Sequence, residues 1–128
     1  MDEQLMRQGV FSWCELMTTD VAAAKEFYSK LFGWHMDDMQ IPGMSYTILH
    51  AAGREVGGIM AIPADAAGMP PMWGTYVTVD NVDATARQAQ ALGGQVLVPP
   101  RDIPEVGRFC VIRDPQGAVI SAITYLHR

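Results

Sequence analysis

Three residue pairs in this chain share one separation: Asp20 and Asp80, Gly33 and Gly93, and Gly57 and Gly117 each stand 60 positions apart. The first two pairs bracket stretches of similar wording, TTDVAAAKEFYSKLFGW from Thr18 to Trp34 and TVDNVDATARQAQALGG from Thr78 to Gly94. A fixed offset carried across a strand exit, a helix end and a later strand is the mark of a duplicated supersecondary unit. Two copies are too few for a solenoid, so the expectation is two units paired within one domain.

The elements follow from local chemistry. Val10 to Thr18 reads as a strand, and Asp20 offers a side-chain oxygen to the free amides of a helix that follows. Val21, Ala24, Phe27, Tyr28, Leu31 and Phe32 recur at spacings of three and four, which predicts one apolar stripe against a sheet, ended by Gly33. Strands are expected over Trp34 to Met39, Ser45 to Ala51 after the turn at IPG, and Glu55 to Ile62. Pro63 to Pro71, PADAAGMPP, breaks all periodicity and reads as a linker. The plan then repeats: a strand over MWGTYVTV, a cap at Asp80 or Asn81, a helix with its stripe on Val82, Thr85, Ala89 and Leu92, and strands over Gln95 to Val98, Gly107 to Arg113 and Ala118 to Leu126. Asp114, Pro115 and Gly117 suit the first, second and fourth positions of a type I turn. One domain is thus expected over 1–128, with a first module at about 8–63, a linker at 63–71 and a second module at about 72–128. The fold class is α+β, two tandem βαβββ modules.

Composition closes off several functions. With 9 Lys and Arg against 14 Asp and Glu, the net charge is −5 and no basic cluster is present to neutralise a row of phosphates. A nucleic-acid partner is not expected. The first residues, MDEQLMRQG, lack a charged-then-apolar leader, and no run approaches the ~20 apolar residues of a membrane-spanning helix. A cytoplasmic protein is the expectation. Cys14 and Cys110 sit in apolar, strand-like stretches without a histidine or basic cluster beside them, and read as buried free thiols rather than a bridge or a nucleophile. There is neither a glycine loop opening a helix to cradle phosphate nor a serine nucleophile elbow.

The strand ending in TTD, the helix AAAKEFYSKLFGW and the closing GRFCVIRDPQGAVI together resemble the vicinal oxygen chelate superfamily of glyoxalase I, extradiol dioxygenases and the bleomycin and fosfomycin resistance proteins. The likeness runs from about Val10 to Tyr125 and is nearest to a glyoxalase-like branch. It implies paired βαβββ modules with curved mixed sheets around a concave cleft, and short members of this superfamily form homodimers, so sheet edges or helices should supply an interface here. In metal-dependent relatives four side chains hold a divalent ion, one from the first and one from the last strand of each module. Carried over position by position, those places hold Trp13, Gly74, Ser121 and either Ala61 or its neighbour Met60. None is the carboxylate, imidazole or amide oxygen donor such an ion requires. The resemblance therefore lends the fold without the usual metal, and no cofactor is expected.

Other residues are candidates for chemistry. Strand alternation puts Trp13, Glu15 and Met17 on one face, the concave one by the resemblance. Glu15 is either a general base, a ligand of a shifted metal site, or a carboxylate paired with an arginine such as Arg108. His35, His50 and His127 fall at no metal-binding spacing and read as surface residues, His50 being the best placed of the three for a ligand. Trp13 and Tyr76 suit the walls of an apolar pocket, and Gly74 leaves room in it. The expected function is metal-independent binding of a small apolar or aromatic molecule, with Trp13 and Tyr76 as walls and Glu15, Arg108 and Ser121 as polar anchors. Two alternatives stay open: a divalent-metal lyase or dioxygenase with relocated ligands such as Glu15 and His50, and a dimeric interaction module whose cleft is filled.

Overall fold

The structure, a computed structural model, describes residues 3–41, 44–64 and 68–126. Its contacts divide the chain into two compact units, Trp13–Gly74 and a second made of Met1–Ser12 with Thr75–Arg128. The division falls inside the first strand of each module, so the opening residues fold with the second module rather than the first. Gly9 N donates to Thr78 O at 2.8 Å, Thr78 N donates to Val10 O at 2.8 Å, and Asp80 N donates to Gln8 Oε1 at 2.7 Å. Ser12 and Tyr125 share a hydroxyl hydrogen bond of 2.8 Å.

The first unit contains β1 (Phe11–Thr18), α1 (Val21–Phe32), β2 (His35–Ile41), β3 (Met44–Ala51) and β4 (Arg54–Ala61). Its strands lie in the order β2-β3-β4-β1. β1 and β4 run parallel, Cys14 facing Gly57 and Glu15 facing Gly58, while the other pairings are antiparallel. That parallel pair explains one glycine: a Cβ on Gly57 would run into the carbonyl oxygen of Cys14. Asp20 caps α1 by accepting from Ala23 N at 3.0 Å, and Gly33, at φ 73°, closes it. Leu16, Leu49 and Ile59 form the core beneath the helix, with Val21, Ala24, Tyr28, Trp34 and Met36 packed against them. The apolar stripe expected on α1 is only half used. Phe27, Leu31 and Phe32 are each 57% exposed, because the sheet meets the Val21, Ala24 and Tyr28 side alone.

The second unit repeats the plan with β5 (Met72–Thr78), α2 (Val82–Ala91), β6 (Gln95–Ile103), β7 (Gly107–Arg113) and β8 (Val119–Tyr125). Its order is β5-β8-β7-β6, with β5 and β8 parallel and the rest antiparallel. This is the expected α+β fold of two βαβββ modules. Asn81, and not Asp80, caps α2, accepting from Ala84 N at 3.0 Å. The buried side of α2 is Val82 and Ala86 over Val79, Cys110 and Ala122, and the expected Leu92 is 71% exposed beyond the last turn. β6 runs past its expected end at Val98 through Pro99 and Pro100, with register shifts around them. An edge strand tolerates prolines, since their missing N–H groups leave no inner ladder bond unmade. The turn at Asp114 forms as read: its side chain accepts from Gln116 N and Ala118 N, and Gly117 takes φ 103°. The linker at 63–71 lies partly, and His127 wholly, outside the described residues.

Candidate functional site

In the first unit α1 covers the face that carries Leu16, Leu49 and Ile59, so strand alternation turns Trp13, Glu15, Tyr46, Gly58 and Met60 to the opposite, helix-free face. Three of these side chains are joined. The Trp13 indole N–H donates to the Tyr46 hydroxyl at 2.8 Å, and that hydroxyl donates to Glu15 Oε2 at 2.7 Å. Glu15 and Tyr46 are both buried. A hydrogen bond onto a carboxylate is about twice as strong as one between neutral groups, and here the Tyr46 hydroxyl fixes the direction of the Glu15 carboxyl on the helix-free face. Gly58 makes the arrangement possible. A Cβ there would collide with the Tyr46 ring and hydroxyl, so the ring lies flat across the glycine backbone to reach Glu15.

Trp13 and Glu15 were legible as partners on one strand face; Tyr46 was not placed with them. The signal lay in a glycine opposite an aromatic residue across two strands, which has meaning only once β3 and β4 are paired, Ile48 against Gly58.

In the second unit Cys110, Ala122 and Val79 face α2, and Tyr76, Phe109 and Ser121 face away. Tyr76 stands directly opposite Ser121 across β5 and β8, and its ring centroid lies 6.3 Å from that of Phe109. The structure thus places Tyr76 and Ser121 side by side on one face. Arg108 is not with them. It shares the parity of Cys110, points to the helix side, and forms a fork on Asp83 of α2, Nη2 to Oδ1 at 3.1 Å and Nε to Oδ2 at 3.2 Å. Asp102 completes the set at 3.0 Å from Nη1. These carboxylates, Asp83 first, raise the guanidinium pKa further. Arg108, expected as a polar anchor, is a strut between helix and sheet, its guanidinium taken up by Asp83 and Asp102.

The positions where the resemblance would seat a metal can be re-read from the register. Glu15 lies two residues after Trp13 and faces Gly58, whereas Tyr76 lies two after Gly74 and faces Ser121. Gly58, rather than Ala61 or Met60, is therefore the counterpart of Ser121. Trp13, Gly58, Gly74 and Ser121 offer one weak hydroxyl donor between them, a set that does not fit a divalent ion. Among the described residues no three His, Cys, Asp or Glu side chains converge as a metal ion requires.

His35 and His50, 15 positions apart in sequence, stand opposite each other on β2 and β3. Asp37 lies between their rings, Oδ1 at 3.2 Å from His35 Nε2 and Oδ2 at 3.5 Å from His50 Nδ1, and that buried Nδ1 makes no hydrogen bond. Both cysteines are free; Cys110 is buried and burial pushes its thiol pKa up, but Cys14, read as buried, is exposed. Burial likewise raises the Tyr125 hydroxyl, with the bond to Ser12 acting the other way.

Comparison with known proteins gives a consistent picture. A family model described as the glyoxalase/bleomycin resistance protein/dioxygenase superfamily matches residues 10–121. CFP32 of Mycobacterium bovis, which carries the provisional name of a glyoxylase, is 45% identical over 117 residues, covering 89% of this chain and 45% of the relative. The anthracycline biosynthesis protein DnrV of Streptomyces peucetius is 32% identical over 126 residues, 88% of this chain and 46% of the relative. The chain thus spans a little under half the length of these curated relatives. Among solved structures, methylmalonyl-CoA epimerase from Mycobacterium tuberculosis aligns with a TM-score of 0.66 at 17% identity, covering 96% of this chain and 91% of that one. A Streptomyces coelicolor methylmalonyl-CoA epimerase in complex with 2-nitronate-propionyl-CoA aligns at 0.69 and 17%, covering 94% and 100%. At that identity the likeness is one of fold.

Proposed function

Because the chain belongs to the glyoxalase/bleomycin resistance protein/dioxygenase superfamily, we propose that it binds a small, flat, mostly apolar organic molecule without a metal, oriented by the carboxylate of Glu15. The observation that carries this reading is the Trp13–Tyr46–Glu15 chain of hydrogen bonds on the helix-free face of the first unit. Trp13 and Met60 supply apolar, polarisable surface, and few precisely placed polar groups amid such surface are the usual make-up of a small-molecule site. A carboxyl oxygen accepts hydrogen bonds, so a ligand carrying a hydroxyl or amine donor would match it. Two curated relatives bear names in anthracycline biosynthesis, and anthracyclines are planar aromatic compounds rich in hydroxyl groups. Tyr76 and Ser121 offer a comparable aromatic-plus-hydroxyl pair on the helix-free face of the second unit.

The test is a thermal-shift titration with an anthracycline and with 1-naphthol as a small phenolic probe. A ligand held by the native state at 100 times its Kd stabilises it by about 2.7 kcal/mol. Wild-type protein should gain stability with at least one probe, and Glu15→Gln and Tyr46→Phe should each weaken binding by about tenfold, the worth of one charge-assisted bond. Gly58→Ala, whose added Cβ would displace the Tyr46 ring, should weaken it similarly. Absence of any shift, or equal binding by Glu15→Gln, overturns the reading. So does one equivalent of nickel, zinc, iron or manganese in protein purified without chelator, which would instead favour a lyase or dioxygenase using Glu15 and His50.

A further inference from the structure

A second polar cluster lies on the helix-free face of the first unit, apart from the Trp13–Tyr46–Glu15 chain. His35 and Asp37 of β2 share a parity with Tyr46, Ile48 and His50 of β3, while Trp34, Met36 and Leu49 turn to the core under α1. The cluster is thus on the same face as Glu15, and the strand register places it. Glu15 stands opposite Gly58, Gly58 opposite Ile48, and Ile48 opposite Asp37, one row across β1, β4, β3 and β2. Three steps of ~4.8 Å set the ends of that row ~14 Å apart. Between the ends the row is apolar, since the Tyr46 ring covers Gly58 and Ile48 comes next. Burial falls along it, from Glu15 and Ile48, both buried, to Asp37, whose side chain is 57% exposed.

The chemistry of the outer end follows from one atom. His50 Nδ1 is buried, makes no hydrogen bond, and has Asp37 Oδ2 at 3.5 Å. A carboxylate oxygen is an acceptor, so the ring proton belongs on Nδ1, where a small rotation completes the bond, and the lone pair belongs on Nε2. His35 Nε2 faces the other oxygen, Oδ1, at 3.2 Å. Asp37 therefore acts as a positioning residue that leaves each imidazole its second nitrogen as an acceptor. The His50 side chain keeps 25% of its surface exposed, through which a ligand can reach it. We infer that His50, held by Asp37, is a second anchor for the ligand of this face, an inference that rests on Glu15 being the first. Both ends of the row accept hydrogen bonds and the middle is apolar. The ligand class is accordingly an elongated, flat aromatic compound with a hydroxyl or amine donor at each end. An acidic tail would meet Asp37 with like charge, which selects against it.

Calorimetric titration with trans-4,4′-dihydroxystilbene, which is flat and carries a hydroxyl at each end, and with trans-4-hydroxystilbene, which lacks one of them, decides it. Wild type should bind the dihydroxy compound about fivefold more tightly, the worth of one neutral hydrogen bond. His50→Phe keeps a ring and removes the acceptor, so it should abolish that preference and leave the affinity for the monohydroxy compound unchanged. Asp37→Ala should reduce the preference by about half, and its exposed position keeps the test open if His50→Phe does not fold. Glu15→Gln, in contrast, should weaken both compounds alike by about tenfold. Equal binding of the two compounds by wild type, or a preference that survives in folded His50→Phe or in Asp37→Ala, overturns the second anchor and leaves Glu15 alone. Wild type that binds neither compound, or Glu15→Gln that binds both as wild type does, overturns the second anchor together with the first.

Discussion

The two helices hold the same place in the same βαβββ plan and end in opposite surfaces. α2 buries Val82 and Ala86 and exposes Arg87, Gln88 and Gln90, as an amphipathic helix over a sheet does. α1 is two residues longer, buries no side chain fully, and carries an aromatic second face. Their attachments differ as well: α2 is braced to its sheet by the Asp83–Arg108 fork, α1 by the Lys25–Asp38 bond of 2.8 Å. The lesson is that the repeated plan fixes the side of a helix that packs and leaves the composition of the other side open.

The glycines give the strongest way to break the comparison. Gly57 and Gly117 look like one residue repeated, yet Gly57 avoids a backbone collision in the parallel β1–β4 pair and Gly117 supplies a left-handed turn in open space. Gly57→Ala is expected to cost about 3 kcal/mol or to abolish folding, and Gly117→Ala only about 1, as read from urea unfolding. Equal costs would mean that the two modules use the pair in the same way after all.

The helix roots come next. Val82 is 2% exposed and Val21 is half-buried, so Val82→Ala should cost about 1.5 kcal/mol or more and Val21→Ala less than ~1. A reversal of that order in thermal melts would show that α1 is the better-seated helix. The caps should behave alike: Asp20→Ala and Asn81→Ala each remove one side-chain acceptor and should each cost about 1 kcal/mol.

The smallest effect is a pH dependence confined to the first unit. Hydrogen bonds from Lys25 and then from Thr47 hold the Asp38 carboxyl below its ordinary value of 3.8. A depressed folded pKa contributes stability that is present above the unfolded value and lost as pH falls through the folded one. Acidification below about pH 4 should therefore loosen α1 from β2, seen as faster amide exchange in α1 than in α2, and Lys25→Met should shrink the difference.

Much of this was legible in the order of residues. Caps and turns act over three or four positions, so Asp20, Gly33, Gly93 and the Asp114 turn could be read where they stand. The 60-residue offset was also real as a plan, although it does not hold as a ruler. Asn81 replaces Asp80 at the cap, and by Ser121 the counterpart is Gly58, an interval of 63, because loops between strands accept insertions at little cost. Pairings over long separations were not legible. His35 opposite His50, Tyr46 reaching Glu15 and Arg108 turned toward Asp83 each depend on which strand lies beside which.

What the sequence settled alone was therefore the duplicated βαβββ plan with its caps and turns, since these are matters of residue identity and short-range hydrogen bonding. Tertiary structure decided which atoms meet. Only the pairings of β4, antiparallel with β3 and parallel with β1, made through backbone groups that every residue shares, put Gly58 beneath Tyr46 and beside Glu15 and so aimed a hydroxyl at that carboxyl.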